Sequence, residues 1–257
     1  MFKNMSIKTK LLFGFISVAV IAALIGVLAM TQMRKIDVAD TALYETVAVP
    51  LGYTVDIATD FQRIRVNVRD AILAENATEL KTFMTRIGEI EEEWNKVLKK
   101  YESTLIDETD RKNYEEVLAA KVDYYEDIPK VESLLTAQDI PGAMALMRGQ
   151  MKTANDRVQK AIDVLVAYNV ASGKQISDSN TALANTSTTL LLIILVVGVI
   201  IALALAFIIA GNIQSIVKSI LDQAKMLVDA AVGGKLATRG DPEKINFEFR
   251  EIIVGVN

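Results

Sequence analysis

Three arginines within seven residues are the strongest chemical signal in the chain. They lie in DIATDFQRIRVNVRDAIL, residues 56–73, as Arg63, Arg65 and Arg69. Read as helix, this stretch places Arg65 on the seam that Ala58, Phe61, Val68 and Ile72 define. Arg69 lies one turn on and Arg63 to the side. A guanidinium on an inward or subunit-facing seam requires an anionic partner, because burying it alone is costly. That partner is either an Asp, Glu or backbone carbonyl of the protein itself or a bound carboxylate. The remaining option is snorkelling toward solvent.

Other chemistry is scarce. The 257 residues include no Cys and no His, which removes disulfides, thiolate nucleophiles and imidazole–metal sites. Met144, Met147 and Met151 form a run at helical spacing, and with no His or Cys beside them they read as core filling rather than metal ligands. No Gly-rich phosphate loop, no Ser with a basic partner and no carboxylate pair in a cleft pattern is visible. The expectation is a non-enzyme without a cofactor or metal. Residues 34–188 hold 19 basic and 26 acidic side chains, a balance that argues against nucleic acid. The runs Glu91–Glu93 and Asp107, Glu108, Asp110 read as solvated faces.

The elements that position these residues begin with two apolar stretches. Between Asp178 and Lys218 there is no charged residue, and this gap contains TLLLIILVVGVIIALALAFIIAG. About twenty apolar residues in helix span a bilayer core of ~30 Å, so residues 189–210 are expected to be a transmembrane helix. A first one is expected at residues 11–33, after a cytoplasmic segment 1–10 that carries Lys3, Lys8 and Lys10 and no acid. That run is long for a cleaved signal peptide and reads as an uncleaved anchor. The basic flank stays inside, which puts residues 34–188 outside and returns the chain to the cytoplasm at residue 211.

Between the spans, turn signals at AENAT, LIDETDRK and TAQDIPG divide the chain into four helices, near 34–73, 77–104, 110–135 and 140–188. Asn76, one of Asp107, Thr109 and Asp110, and Asp139 are the N-cap candidates. Pro141 suits a first helical turn. Each segment carries an apolar stripe, and short turns make neighbours antiparallel, so the fold class is all-α: an antiparallel four-helix bundle flanked by two transmembrane helices. Pro50 and Pro129 mark kinks or bundle ends. After the second span, Ile213, Ile216 or Val217, Ile220, Ala224 and Leu227 or Val228 form a heptad-like stripe that Gly233 and Gly234 stop. A loop through Arg239–Pro242 and a second apolar periodicity from Phe247 follow.

MSIKTKLLFGF, FQRIRVNVRDAIL, DIPGAMALM and the long last helix resemble the front end of bacterial methyl-accepting chemotaxis proteins. VGGKL and FREIIVGVN resemble the HAMP relay that such receptors share. NIQSIVKSIL lacks the usual proline, however, and FEFREI stands where an acidic pair with Gly is usual. The segment 211–257 therefore reads as a divergent, incomplete HAMP-like relay. The resemblance implies a homodimeric transmembrane signal transducer in the bacterial inner membrane. Its stimulus would be a small anionic ligand or a periplasmic binding protein. Its kinase or adaptor would be reached only through an output domain that is not among these residues. It also implies ligand clamping by basic residues of the first helix at the dimer interface, a role that Arg65 and Arg69 match best and Arg63 next. The front end of a histidine kinase or diguanylate cyclase, and a membrane-anchored helical scaffold, are the alternative readings.

Overall fold

A chain rich in Ala, Leu, Lys and Glu, with four prolines in 257 residues, has few places to stop a helix. In the computed structural model, which describes residues 5–256, helix dominates and no strand occurs among the described residues. Lys3, one of the basic residues of the expected N-terminal anchor, and Asn257 lie outside the described residues. The chain forms two compact units, Lys35–Leu183 and Met1–Arg34 with Ala184–Asn257.

The first unit is the bundle. Its first arm is the end of α1 (Ile7–Leu43), a π turn at Tyr44–Ala48, and α2 (Val49–Ile72). The second is α3 (Ala77–Glu102). The third is α4 (Glu108–Tyr125) with α5 (Ile128–Thr136). The fourth is α6 (Ile140–Arg148) and the start of α7 (Gln150–Val232). The arms start where the local chemistry dictates. Asn76 Oδ1 accepts from Glu79 N at 3.0 Å, Asp107 Oδ1 from Asp110 N at 2.9 Å and Asp139 Oδ1 from Gly142 N at 2.9 Å. Each satisfies a donor that the first turn leaves open, worth ~1 kcal/mol. Gly142 is part of the last cap: a Cβ there would lie 2.3 Å from Asp139 Oδ2.

Two expectations change. Pro50 does not end or sharply break the first arm, which stays helical from Ile7 to Ile72. The turn before it widens instead, with Val49 N–H bonding to Tyr44 O. A proline has no N–H to give, and in a regular helix its ring would strike the Thr46 carbonyl. Pro129, by contrast, coincides with a real break, because it sits in the first turn of a new helix, α5. The fourth arm, expected as one helix, is interrupted at Gly149, whose φ of −101° and ψ of −102° are not helical.

The bundle core is aromatic. Phe61 stacks on Trp94 at 5.7 Å and meets Tyr124 edge-on at 5.3 Å. Tyr101 stacks on Tyr114 at 5.7 Å. Ile57, Ile64, Ile90, Val117 and Leu165 close around them, all fully buried. Each such side chain contributes roughly 1.5–3 kcal/mol by leaving water. One polar network is embedded here. Tyr101 Oη donates to Asp110 Oδ1 at 2.6 Å and accepts from Asn169 Nδ2 at 2.6 Å, tying α3, α4 and α7 together.

In the second unit the apolar parts of α1 and α7 pair through small residues. Ile209 Cδ1 lies 2.6 Å from where a Cβ on Gly14 would be. Ile21 and Ile25 lie 3.1 Å from the same point on Gly198. Most other apolar side chains of these stretches face outward, Phe15 and Phe207 more than 70% exposed. Both helices are long and apolar enough to cross a membrane. Lys10 Nζ, fully buried, donates to Asn212 Oδ1 at 2.6 Å. At the far end α7 stops in a Schellman turn: Gly234 takes φ +72°, Lys235 N bonds Ala230 O at 2.8 Å, and Gly234 N bonds Ala231 O at 3.1 Å. Two 3-10 turns and α8 (Arg250–Val256) follow. Glu248 Oε2 accepts from Ile7 N at 2.8 Å.

Candidate functional site

The apolar side chains that α2 buries from Ile57 onward are Ile57, Phe61, Ile64, Val68, Ala71 and Ile72. Ile64, not Arg65, therefore occupies the core seam. This rotates the three arginines relative to the sequence expectation: Arg65 is half-buried at the seam's edge, Arg69 is exposed, and Arg63 lies on the opposite flank, toward α3.

Their surroundings separate them further. Arg63 Nη1 lies 2.7 Å from both Asp60 Oδ1 and Glu93 Oε2, so its guanidinium bridges α2 to α3. Burial pushes the Asp60 carboxyl up against the lowering pull of Arg63, while the hydrogen bond from Arg63 holds Glu93 down. Arg63 is thus engaged by carboxylates of the protein. Arg65 is held differently. Its Nη1 donates to Gln62 Oε1 at 2.7 Å, and its Cζ lies 5.7 Å from the Phe61 ring centroid. Gln62 is in turn anchored to Gln159 of α7 at 2.7 Å. The Arg69 side chain is 60% exposed, and its carboxylate neighbour is Asp70 at 3.8 Å.

Arg65 and Arg69 share a cleft of about 250 Å³ that Arg63 does not line. Lys152 and Asn155 of α7 form its other side, with Tyr124 of α4 and Met151 beside them. Lys152 Nζ reaches Asp156 Oδ2 at 2.5 Å, outside the cleft lining. Three cationic side chains on two helices therefore converge on one small concavity, and no carboxylate lines it. Such a cleft attracts anions, and the methionine and valine side chains between the charges suit a short carbon skeleton. Among the described residues, no group of three or more His, Cys, Asp or Glu side chains could hold a metal.

A larger open groove of about 880 Å³ lies among Ile72, Asn76, Leu80, Leu135 and Ile140, at the turns of the bundle. Glu75 and Glu132 line it with Lys81, so it offers an anion no net attraction.

Lys152, Tyr124 and Asn155 are absent from the sequence expectation. Lys152 stands four residues before Asp156, which reads as an ordinary surface pair. Tyr124 belongs to an apolar stripe, and Asn155 has no signature. Only packing of α7 beside α2 and α4 brings them to the arginines. Arg157 bridges α7 to α4 through Glu116 at 2.9 Å and through Asp123.

Comparison with known proteins agrees with this architecture. The family described as a four helix bundle sensory module for signal transduction matches residues 4–184. A protein of Acetivibrio thermocellus described as a sensory transducer is 27% identical over 187 residues. These are 72% of this chain and 34% of that protein, so the chain spans about a third of its relative's length.

Proposed function

The chain belongs to the family of four-helix-bundle sensory modules for signal transduction, and from that premise we propose that it is the sensing and relay part of a transmembrane receptor for a small anion. One observation carries the reading. A single helix, α7, supplies Lys152 and Asn155 to the cationic cleft and also contains the apolar stretch 189–210. An anion seated between α2 and α7 interacts differently with each relative placement of the two helices. Only such differential affinity shifts a population between states, and about 1.4 kcal/mol of bias changes the ratio tenfold. The bundle stands outside the cytoplasmic membrane and the tail inside, where a HAMP-like relay passes the displacement to an output module.

The homodimer belongs to the same proposal. The outward face of α2 carries Val55, Thr59, Gln62, Val66, Arg69 and Leu73, all exposed, at the alternating spacing of a heptad seam. A second copy laid along it would roof the cleft, adding its own side chains to the ligand.

The test has two arms, both on the full chain in lipid nanodiscs. Calorimetry with short-chain carboxylates is expected to show binding that Arg65→Ala and Arg69→Ala each weaken by tenfold or more. Disulfide formation between Ile21→Cys and Gly198→Cys is expected to change rate at least twofold when ligand binds. Several glycines placed across Ser179–Thr188 should remove that response without removing binding. Binding with no change in disulfide rate sinks the relay; indifference of binding to both arginines sinks the site.

A further inference from the structure

The cleft contains two polar groups that anion binding alone does not use. Tyr124 is only 2% exposed, its ring is packed edge-on against Phe61, and it lines the cleft. Its phenol is close enough to the Arg65 guanidinium to feel that charge. Asn155 lines the same cleft. Its Nδ2 is committed to Asp156 Oδ1 at 3.1 Å, which fixes the amide orientation and leaves Oδ1 as the acceptor. That Oδ1 is buried and unpartnered. An unpaired buried carbonyl is a standing cost that a ligand donor relieves.

The identity of that donor follows from charge. Arg65, Arg69 and Lys152 line the cleft and no carboxylate does; beside it, Asp70 pairs with Arg69 at 3.8 Å and Asp156 with Lys152 at 2.5 Å, and Asp156 also feels the Arg65 charge. A ligand ammonium would sit among three cations with no carboxylate of its own. A neutral hydroxyl meets Asn155 Oδ1 and Tyr124 Oη without that repulsion. The cations stand in two places, Arg65 and Arg69 a turn apart on α2 and Lys152 across on α7, which suits two carboxylates on one skeleton. A cleft of about 250 Å³ is below the ~300–1,000 Å³ of drug-sized sites, so the skeleton is short.

Resting on the anion-receptor reading above, we propose that the cleft selects a short hydroxydicarboxylate. Its carboxylates are held by Arg65, Arg69 and Lys152. Its hydroxyl is read by Asn155 Oδ1 and Tyr124 Oη.

The experiment is calorimetry of the full chain in lipid nanodiscs with three probes of matched length: L-malate, succinate, which lacks the hydroxyl, and L-aspartate, which replaces it with an ammonium. Malate is expected to bind about tenfold tighter than succinate, the size of one good hydrogen bond, and tighter than aspartate. Tyr124→Phe and Asn155→Leu should each draw malate toward the succinate value and leave succinate unchanged. Arg65→Ala should weaken both. If Tyr124→Phe loses helical structure, Asn155→Leu, at a partly exposed position, carries the comparison. Equal affinity for malate and succinate, or tighter binding of aspartate, overturns the hydroxyl reading while the anion site stands. If none of the three binds, or Arg65→Ala changes nothing, the anion site itself falls and this inference with it.

Discussion

The bundle and the paired apolar stretches are both two-faced helices, yet they pack by opposite rules. In the bundle, Phe61, Trp94, Tyr101 and Tyr124 are buried together, and most charged residues face out, with Asp60, Asp110 and Asp127 the buried exceptions among the described residues. In the pair α1–α7 the contacts are made at Gly14 and Gly198, while Phe15, Leu192 and Phe207 face out. Water supplies the driving force in the first case, so the largest side chains go inside. A hydrocarbon surrounding gives no such reward for burying Leu or Phe, and close approach of backbones decides instead. The bundle is held by burial of large side chains, whereas the paired stretches approach each other at small residues.

This contrast can be broken most directly at Trp94. Trp94→Ala empties the centre of the aromatic cluster and should cost about 3–5 kcal/mol, read from urea unfolding followed by circular dichroism. Leu192→Ala, a similar truncation on an outward face, should change stability by less than about 0.5 kcal/mol. Comparable losses from both would mean that the two regions share one kind of core.

Alkaline titration sharpens the same comparison with an intermediate effect. Burial raises the phenols of Tyr101, Tyr124 and Tyr125, and pushes Tyr114 up to about 12. An unfolded tyrosine ionises near ~10, so above that pH the unfolded chain binds fewer protons than the folded one. Stability is therefore fully present below pH ~10 and falls as pH rises, with the Tyr114 contribution spent by about 12. Helical signal from the bundle that holds unchanged to pH 12 would contradict the buried phenols.

The smallest effect belongs to Gly198→Ala. The new methyl would lie 3.1 Å from Ile21 and Ile25, and the resulting crowding opposes a gain in helix propensity of roughly 0.8–1.0 kcal/mol. The net change in thermal stability should stay within about 1 kcal/mol. Gly198→Leu should exceed it clearly and slow disulfide formation between neighbouring cysteine pairs.

How much was legible beforehand varied with the range of the interaction. The caps at Asn76, Asp107 and Asp139 were readable because each satisfies an amide three residues away. The stop at Gly233–Gly234 was readable because a left-handed turn selects glycine. Arg65 was placed on the core seam and lies at its edge, because the apolar stripe admits two readings one residue apart and only Ile64's packing among Phe61, Trp94 and their neighbours selects one. The fate of Pro50 and the break at Gly149 were not readable, since a helix can absorb a proline by widening one turn. The roles of Lys152, Tyr124 and Asn155 had no local signal.

The order of residues alone determined an all-helical chain with two stretches too apolar for water and a segment with a cluster of arginines, because periodicity and hydropathy act over a few turns. Only the tertiary structure decided that Arg63 is claimed by Glu93, thirty residues away, while Arg65 and Arg69 meet Lys152 across a cleft. Which cation bridges to a neighbouring helix and which lines the cleft depends on how each helix is rotated and in what register it packs, and that is set jointly by all four arms of the bundle.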